Sequence, residues 1–375
     1  MKKIIKYTSL ILCLINICFL SSCTEKYTVS FYDYNGKLIE KVKVELFEEV
    51  PLPKEPTREG YVFVGWDMDL VNISKDTVVF AKYKEITKTL KYELSSDNSY
   101  YIVTGIEDDY EENILIPSEY EGLPVKEIAD EAFYNTYIKT VELQDNIVKI
   151  GNSSFAECSY LEEVNFGKNI KSIGDYAFSN CYYLTNISLP SGINEIGNNA
   201  FQHCSSIKEI KLPNSLTKLG TRAFAHCYDL QTIELSNQLV EVPDFCFQYC
   251  SNLSNIELPD SIITIGDSAF TYCENLKNIK LSKNIVIIER YAFNYCNNLE
   301  STLDLERVQS IGEHAFYACT KLRTILLSEA IKYIDGYAFH HCYALTIYCE
   351  LPQALSNWDY YWNSYDVPVV WGYKK

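Results

Sequence analysis

Apolar and polar positions beyond residue 88 follow one frame. Phe155, Phe178, Phe201, Phe224, Phe247, Phe270, Phe293, Phe316 and Phe339 recur every 23 residues. Each is followed three positions later by a cysteine: Cys158, Cys181, Cys204, Cys227, Cys250, Cys273, Cys296, Cys319 and Cys342. Phe133 lies 22 residues before Phe155 and has Thr136 in the cysteine position, a degenerate first unit. A fixed period of this length marks a solenoid, because one such unit cannot bury its apolar faces alone and must stack on neighbours.

Within the unit Ile173–Leu189, Ile187 and Leu189 alternate around Ser188, the pattern of a short strand with one buried face. Ile193 and Ile196 form a second apolar pair before Gly197. Glycine recurs there as Gly151, Gly174, Gly197, Gly220, Gly266 and Gly312, which suits either a positive φ or close coil packing, with Pro243 and Glu289 as exceptions. The Ala-Phe pair then predicts a turn of helix or 3-10 helix. At about 4.8 Å per strand, about eleven coils make a rod about 50 Å long. Between Cys296 and Gly312 the strand leucine, Leu303, arrives one residue late, which predicts a bulge near Ser301-Thr302.

The solenoid needs covered ends. Leu90 to Ile116 alternates and ends in an entry strand, Ile114-Leu115-Ile116-Pro117. Repeats run over 88–345, and residues 346–375 carry Trp358, Trp362 and Trp371, which read as a hydrophobic cap. Residues 27–84 form a separate unit: Tyr27, Val29 and Phe31 alternate, Asn35-Gly36 signals a hairpin, and Val78 to Tyr83 closes as a strand.

The first 22 residues differ from all of this. Lys2, Lys3 and Lys6 precede an apolar stretch from Leu10 to Leu20, too short to span a bilayer but long enough for an export signal. It ends in Leu20-Ser21-Ser22-Cys23, which resembles the lipobox of bacterial lipoproteins; the resemblance implies cleavage before Cys23, lipidation of Cys23, and a tether over 23–26.

Charge narrows the partners. The chain carries a net charge of −17, and losing residues 1–22 with their three lysines takes it to −20. Such a surface repels phosphate backbones, which excludes nucleic acid as a partner.

The 14 cysteines do not read as a disulfide framework. The ladder members stand on the same side of successive coils, whereas a disulfide needs facing Cβ atoms about 3.8 Å apart. They read as small buried apolar residues, and Cys246 in an alanine position supports this. His203-Cys204 and His226-Cys227 recur one coil apart and His340-His341-Cys342 recurs later, but adjacent residues diverge, so no metal site and no cofactor are expected. With five histidines, no His-Glu-x-x-His, no Gly-x-Ser-x-Gly and no phosphate-cradling loop, the chain does not read as an enzyme.

Two surface ladders remain. Asn165, Ser188, Lys211, Glu234, Glu257 and Lys280 stand outward on the strand face, where neighbouring charges can pair. The position before the cysteine carries His203, His226, Tyr249, Tyr272 and Tyr295, then Ala318 and His341, an amphipathic strip of a kind enriched in interfaces. These five residues are the candidate ligand-binding set, against the alternative that stacked rings seal the coil edge.

The Ile-Gly and Ala-Phe-x-x-Cys elements resemble the leucine-rich repeats of BspA-like (Treponema-type) surface antigens over roughly residues 88–375. The resemblance implies a curved, right-handed leucine-rich repeat solenoid. Gly60-Tyr61-x-Phe63-x-Gly65-Trp66 resembles the Listeria–Bacteroides repeat of internalins, implying a small β-grasp-like module over 27–84. Together these imply a non-enzymatic, lipid-anchored cell-surface protein that binds host, matrix or bacterial surface proteins. The alternative is an envelope-organising lipoprotein whose partner is polysaccharide, peptidoglycan or another glycan.

Overall fold

The computed structural model describes residues 25–107 and 111–375, so the signal stretch and Cys23 lie outside the described residues. The chain divides into two compact units, 1–85 and 86–375.

In the first unit, β1 (Lys26–Tyr32), β2 (Leu38–Glu45), β3 (Tyr61–Trp66) and β4 (Thr77–Glu85) form one sheet in the order β2-β1-β4-β3. The β1–β2 hairpin turns where Asn35-Gly36 signals it, with Gly36 at φ 79°. β1 and β4 pair in parallel at the centre, and β3 pairs antiparallel with β4. Val29, Phe31, Val44, Val50, Ile73 and Val79 form the core, and Trp66 packs edge-on against Phe31 at 4.6 Å. Among the described residues no helix accompanies this sheet.

The second unit is a solenoid with three walls. The first wall has the strands of the Ile-x-Leu segment, such as Glu209–Lys211 and Thr232–Glu234, paired in parallel in three sheets of four. That makes twelve rungs against the about eleven expected. The extra rung is Val369–Trp371, which pairs with Thr346–Cys349 after the tryptophan-rich segment and carries no repeat motif. The second wall is built of two-residue strands such as Glu195–Ile196 and Lys218–Leu219, also parallel. A hairpin, Leu90–Leu94 with Tyr101–Ile106, closes its first edge by pairing with Leu123–Ile128. At the other end Trp358, Trp362 and Trp371 pack within 5.0–6.2 Å of each other, and Trp362 stands edge-on to Phe339 at 6.2 Å.

The third wall departs from expectation. The Ala-Phe segment is a chain of β-turns, and no helical turn occurs among the described residues. Two residues per coil have left-handed backbone, for example Tyr176 (φ 57°) and Asn180 (φ 62°). A positive φ at the third residue of a turn reverses the chain before an i→i+4 ladder can build. The amides of Tyr176, Phe178 and Asn180 instead donate to the carbonyls of Asn198, Ala200 and Gln202 in the next coil, each at 2.8 Å.

Inside this wall the phenylalanines form one stack, from Phe133 to Phe339, with centroids 5.0–6.0 Å apart. Each ladder cysteine is buried, and its thiol donates to the phenylalanine carbonyl of the preceding coil, as Cys227 does to Phe201 at 3.2 Å. The cysteine therefore combines small apolar volume with a weak donor aimed at a backbone acceptor.

The recurring glycine serves close packing rather than a positive φ. A Cβ on Gly151, Gly174, Gly197, Gly220 or Gly312 would meet preceding-coil backbone at 2.4–2.7 Å, and none of these glycines has left-handed backbone. The bulge expected near Ser301-Thr302 is instead a break between sheets. Asn278–Lys280 ends one four-stranded sheet and Thr302–Leu305 begins the next. The inserted Ser301 puts its hydroxyl where a ladder carbonyl would stand, accepting the Ile279 amide at 3.0 Å.

Candidate binding surface on the wall of turns

The candidate residues His203, His226, Tyr249, Tyr272 and Tyr295 all occupy the left-handed position before the cysteine, with φ between 57° and 61°. Each backbone amide is tied to the next coil, from His203 to Ala225 (2.9 Å) through Tyr295 to Tyr317 (2.9 Å). The backbone thus fixes five side chains at the same place on five coils. The rings stack with centroids 4.3 Å apart for His203–His226 and 4.7 Å for each later pair, at interplanar angles of 4–17°. All five residues are half-buried.

Burial shifts the titration of this strip. Desolvation is the main cause holding His226 down at about 4, with the neighbouring His203 and Arg222 adding to it. Desolvation also lowers His203, against a smaller opposing effect of Glu157, and raises Tyr272. Near neutral pH both histidines are therefore uncharged. His226 Nδ1 also pairs with the Tyr228 hydroxyl at 2.9 Å.

Beyond Tyr295 the ladder shifts sideways. Ala318 occupies the slot, and Tyr317, one residue earlier, lies 5.4 Å from Tyr295 with its ring tilted by 56°. Tyr317 then stacks on His340 (5.5 Å) and meets His341 (5.2 Å), and both histidines pack against Tyr365 at 4.8 and 4.9 Å. Sequence reasoning missed Tyr317 and Tyr365 and weighed His340 only as a metal ligand, because their alignment needs the turn-wall register rather than the cysteine frame alone. It also missed Tyr137, Tyr160 and Tyr183, exposed rings 5.8 and 6.4 Å apart that sit immediately before the strand's entry Ile or Leu. Their fixed offset from Ile138, Leu161 and Leu184 is the signal that was available.

The outward strand ladder pairs its own charges. Lys211 bonds Glu234 and Lys280 bonds Glu257, all four side chains largely exposed. Such pairs contribute about 0–1 kcal/mol each. Among the described residues no group of three or more His, Cys, Asp or Glu side chains is gathered to hold a metal. No helix there is long and apolar enough to cross a membrane.

Comparison with known proteins follows the same division of the chain. The BspA type leucine rich repeat region matches residues 126–254 and 240–366, with six copies. The Listeria-Bacteroides repeat domain matches residues 27–88. A putative membrane protein of Evansella cellulosilytica is 29% identical over 108 residues, 26% of this chain and 16% of that protein. The chain thus spans a small part of that curated relative. Among solved structures, a leucine-rich repeat protein of T. pallidum (TpLRR) is 29% identical with a TM-score of 0.49, covering 51% of this chain and 91% of that one. A leucine-rich repeat protein from Bacteroides ovatus is 23% identical with a TM-score of 0.41, covering 77% of this chain and all of that one. The repeat match covers well over half of the sequence, and the chain belongs to the BspA-type leucine-rich repeat family.

Proposed function

We propose that this protein is exported, anchored by lipid on Cys23, and binds a protein partner at the cell surface through the ring strip His203–Tyr295, without catalysis. The observation that carries this reading is the stacked strip itself. Its slot has left-handed backbone, which costs most side chains about 1–2 kcal/mol and suits asparagine, the residue at Asn180. Three successive tyrosines stand there instead. Stacking contributes about 0.5–1.5 kcal/mol per pair and offsets that strain, leaving half-buried amphipathic edges in a row.

The same geometry favours protein over glycan. A sugar ring stacks on a free aromatic face, but His226, Tyr249 and Tyr272 have both faces covered by neighbours at 4.3–4.7 Å. What they offer is edges, and no hydrogen bond among the described residues reaches the Tyr249 or Tyr272 hydroxyl. Tyrosine edges with free hydroxyls match the centre of a protein interface.

The test is binding of the purified full-length chain to immobilised matrix proteins, bacterial surface proteins and envelope polysaccharides. Beside it runs a variant with Tyr249, Tyr272 and Tyr295 changed to Asn, which keeps the backbone conformation. Saturable protein binding lost in the variant is expected. Binding to polysaccharide alone, or protein binding unchanged in the variant, overturns the reading. The anchor is tested separately: Cys23→Ser is expected to release the chain from membranes.

A further inference from the structure

The second wall opens at one place. Along it, the residue in the glycine slot donates its amide to the preceding coil at 2.8–3.0 Å. This holds for Gly151, Gly174, Gly197, Gly220, Gly266, Glu289, Gly312 and Asp335, whatever the side chain. Pro243 has no N–H and breaks the series. The strands Lys218–Leu219 and Glu241–Val242 do not pair with each other, so the wall divides into two sheets there.

One other series stops at the same junction. Asp130, Asn152, Asp175 and Asn198 each accept the amide one coil further on at 2.7–2.9 Å, and Asp244 does so for Asp267 at 2.8 Å. Thr221 stands between them, its side chain bonding no amide of Asp244 among the described residues. The phenylalanine stack is also widest here, 6.0 Å between Phe224 and Phe247. Leu219 is only half-buried, while Ile150, Ile173, Ile196, Val242, Ile265, Ile288, Ile311 and Ile334 in the same slot are at most 2% exposed.

The result is a cleft of about 310 Å³. It is preformed rather than a hinge, because both flanking walls stay bonded across it. Ile210 and Ile233 pair in the first wall, and Arg222 donates to Asp244 at 3.0 Å in the wall of turns.

Among the described residues, its lining carries unpaired acceptors on one side and, at the Val240 amide on the other, an unpaired donor. No hydrogen bond among the described residues reaches the carbonyls of Thr217 or Leu219, which lack the amides that coil stacking supplies elsewhere. Asp175, Glu195 and Glu241 line the same cleft, and its one basic side chain, Lys218, lies 3.7 Å from Glu195. Unpaired carbonyls beside carboxylates call for a cation with several donors. A guanidinium has five N–H groups in a rigid fork, whereas an ammonium is a compact point charge. The chain's net charge of −17 adds long-range attraction for a basic partner.

We propose that this cleft receives an arginine side chain from an extended segment of a partner protein, with the guanidinium bonding the Thr217 and Leu219 carbonyls and pairing with Glu241. The site is distinct from the ring strip and does not depend on it.

The test uses the full-length chain and a fluorescein-labelled peptide, Ser-Val-Arg-Val-Ser, followed by fluorescence polarisation. Its control is the same peptide with citrulline, which keeps shape and loses charge. Saturable binding at least tenfold tighter for arginine is expected. Glu241→Gln is expected to weaken it several-fold. Pro243→Gly restores the missing amide and is expected to close the cleft, abolish binding and raise Tm. The triple tyrosine variant is expected to bind the peptide like the parent. Absent saturable binding, equal binding of the citrulline peptide, or unchanged binding in Glu241→Gln overturns the proposal. Unchanged binding in a folded Pro243→Gly overturns it too. Should Pro243→Gly fail to fold, the exposed Glu241→Gln and the citrulline control decide.

Discussion

Removing one ring from the phenylalanine stack gives a graded prediction. Phe178 and Phe247 are both fully buried, but their surroundings differ. Phe178 lies 5.2 and 5.3 Å from its stacked neighbours and meets Phe166 edge-on at 5.9 Å. Phe247 lies 6.0 and 5.4 Å from its two, beside the open junction at Pro243. A buried Phe→Ala substitution costs about 3–5 kcal/mol through lost transfer energy and the cavity left behind. Aromatic pairs add about 0.5–1.5 kcal/mol each. Phe178→Ala loses three ring contacts at ordinary spacing and belongs at the top of the range, about 5 kcal/mol. Phe247→Ala loses two, one of them stretched, and belongs near 3 kcal/mol.

The assay is urea unfolding followed by far-UV circular dichroism and by tryptophan fluorescence. Three of the four tryptophans, Trp358, Trp362 and Trp371, report the C-terminal end of the solenoid. In a stacked array each coil contacts only its neighbours, so damage stays local. Phe178→Ala should therefore lower the dichroism midpoint while the fluorescence transition lags behind it. A Phe247→Ala variant at least as damaging as Phe178→Ala, or a curve for either that overlays the parent, refutes the stacking argument.

Two further outcomes follow. Burial pushes the Cys158 thiol up to about 11 and raises the other ladder thiols whose titration departs from the ordinary range, so little thiolate forms at pH 8. Thiol reagents should leave the eleven described cysteines unmodified in the folded chain and modify them after unfolding; modification without unfolding contradicts the ladder. Acid should weaken the strip: His226 is held at about 4 when folded, so the unfolded chain binds the extra proton first as pH falls below about 6.5. Stability is accordingly lost between about pH 6.5 and 4, and His226→Tyr, which extends the tyrosine stack, should lose less over that window when Tm is measured against pH.

The 23-residue frame alone determined the solenoid, because the residues that must be buried repeat at fixed spacing and only stacking can bury them. Phe155 through Phe339 and the cysteine ladder were legible for this reason, as was the alignment of His203 with Tyr295; the hairpin at Asn35-Gly36 was legible from its turn residues instead, because Asn-Gly suits the left-handed turn positions. What the tertiary structure decided depends on distances and hydrogen bonds between coils, which no single repeat encodes. The Ala-Phe segment forms turns rather than helix because its amides find partners in the next coil before they find them four residues back. Val369–Trp371 becomes a twelfth rung because an open sheet edge recruits it. Ser301 breaks the first wall instead of bulging it because its hydroxyl can stand in for a carbonyl. Pro243 reads in sequence as a tolerated exception, as Glu289 does. The two differ only once a neighbouring coil is present: Glu289 keeps an amide that reaches Ile265 at 2.9 Å, and Pro243 has none, so the wall opens there.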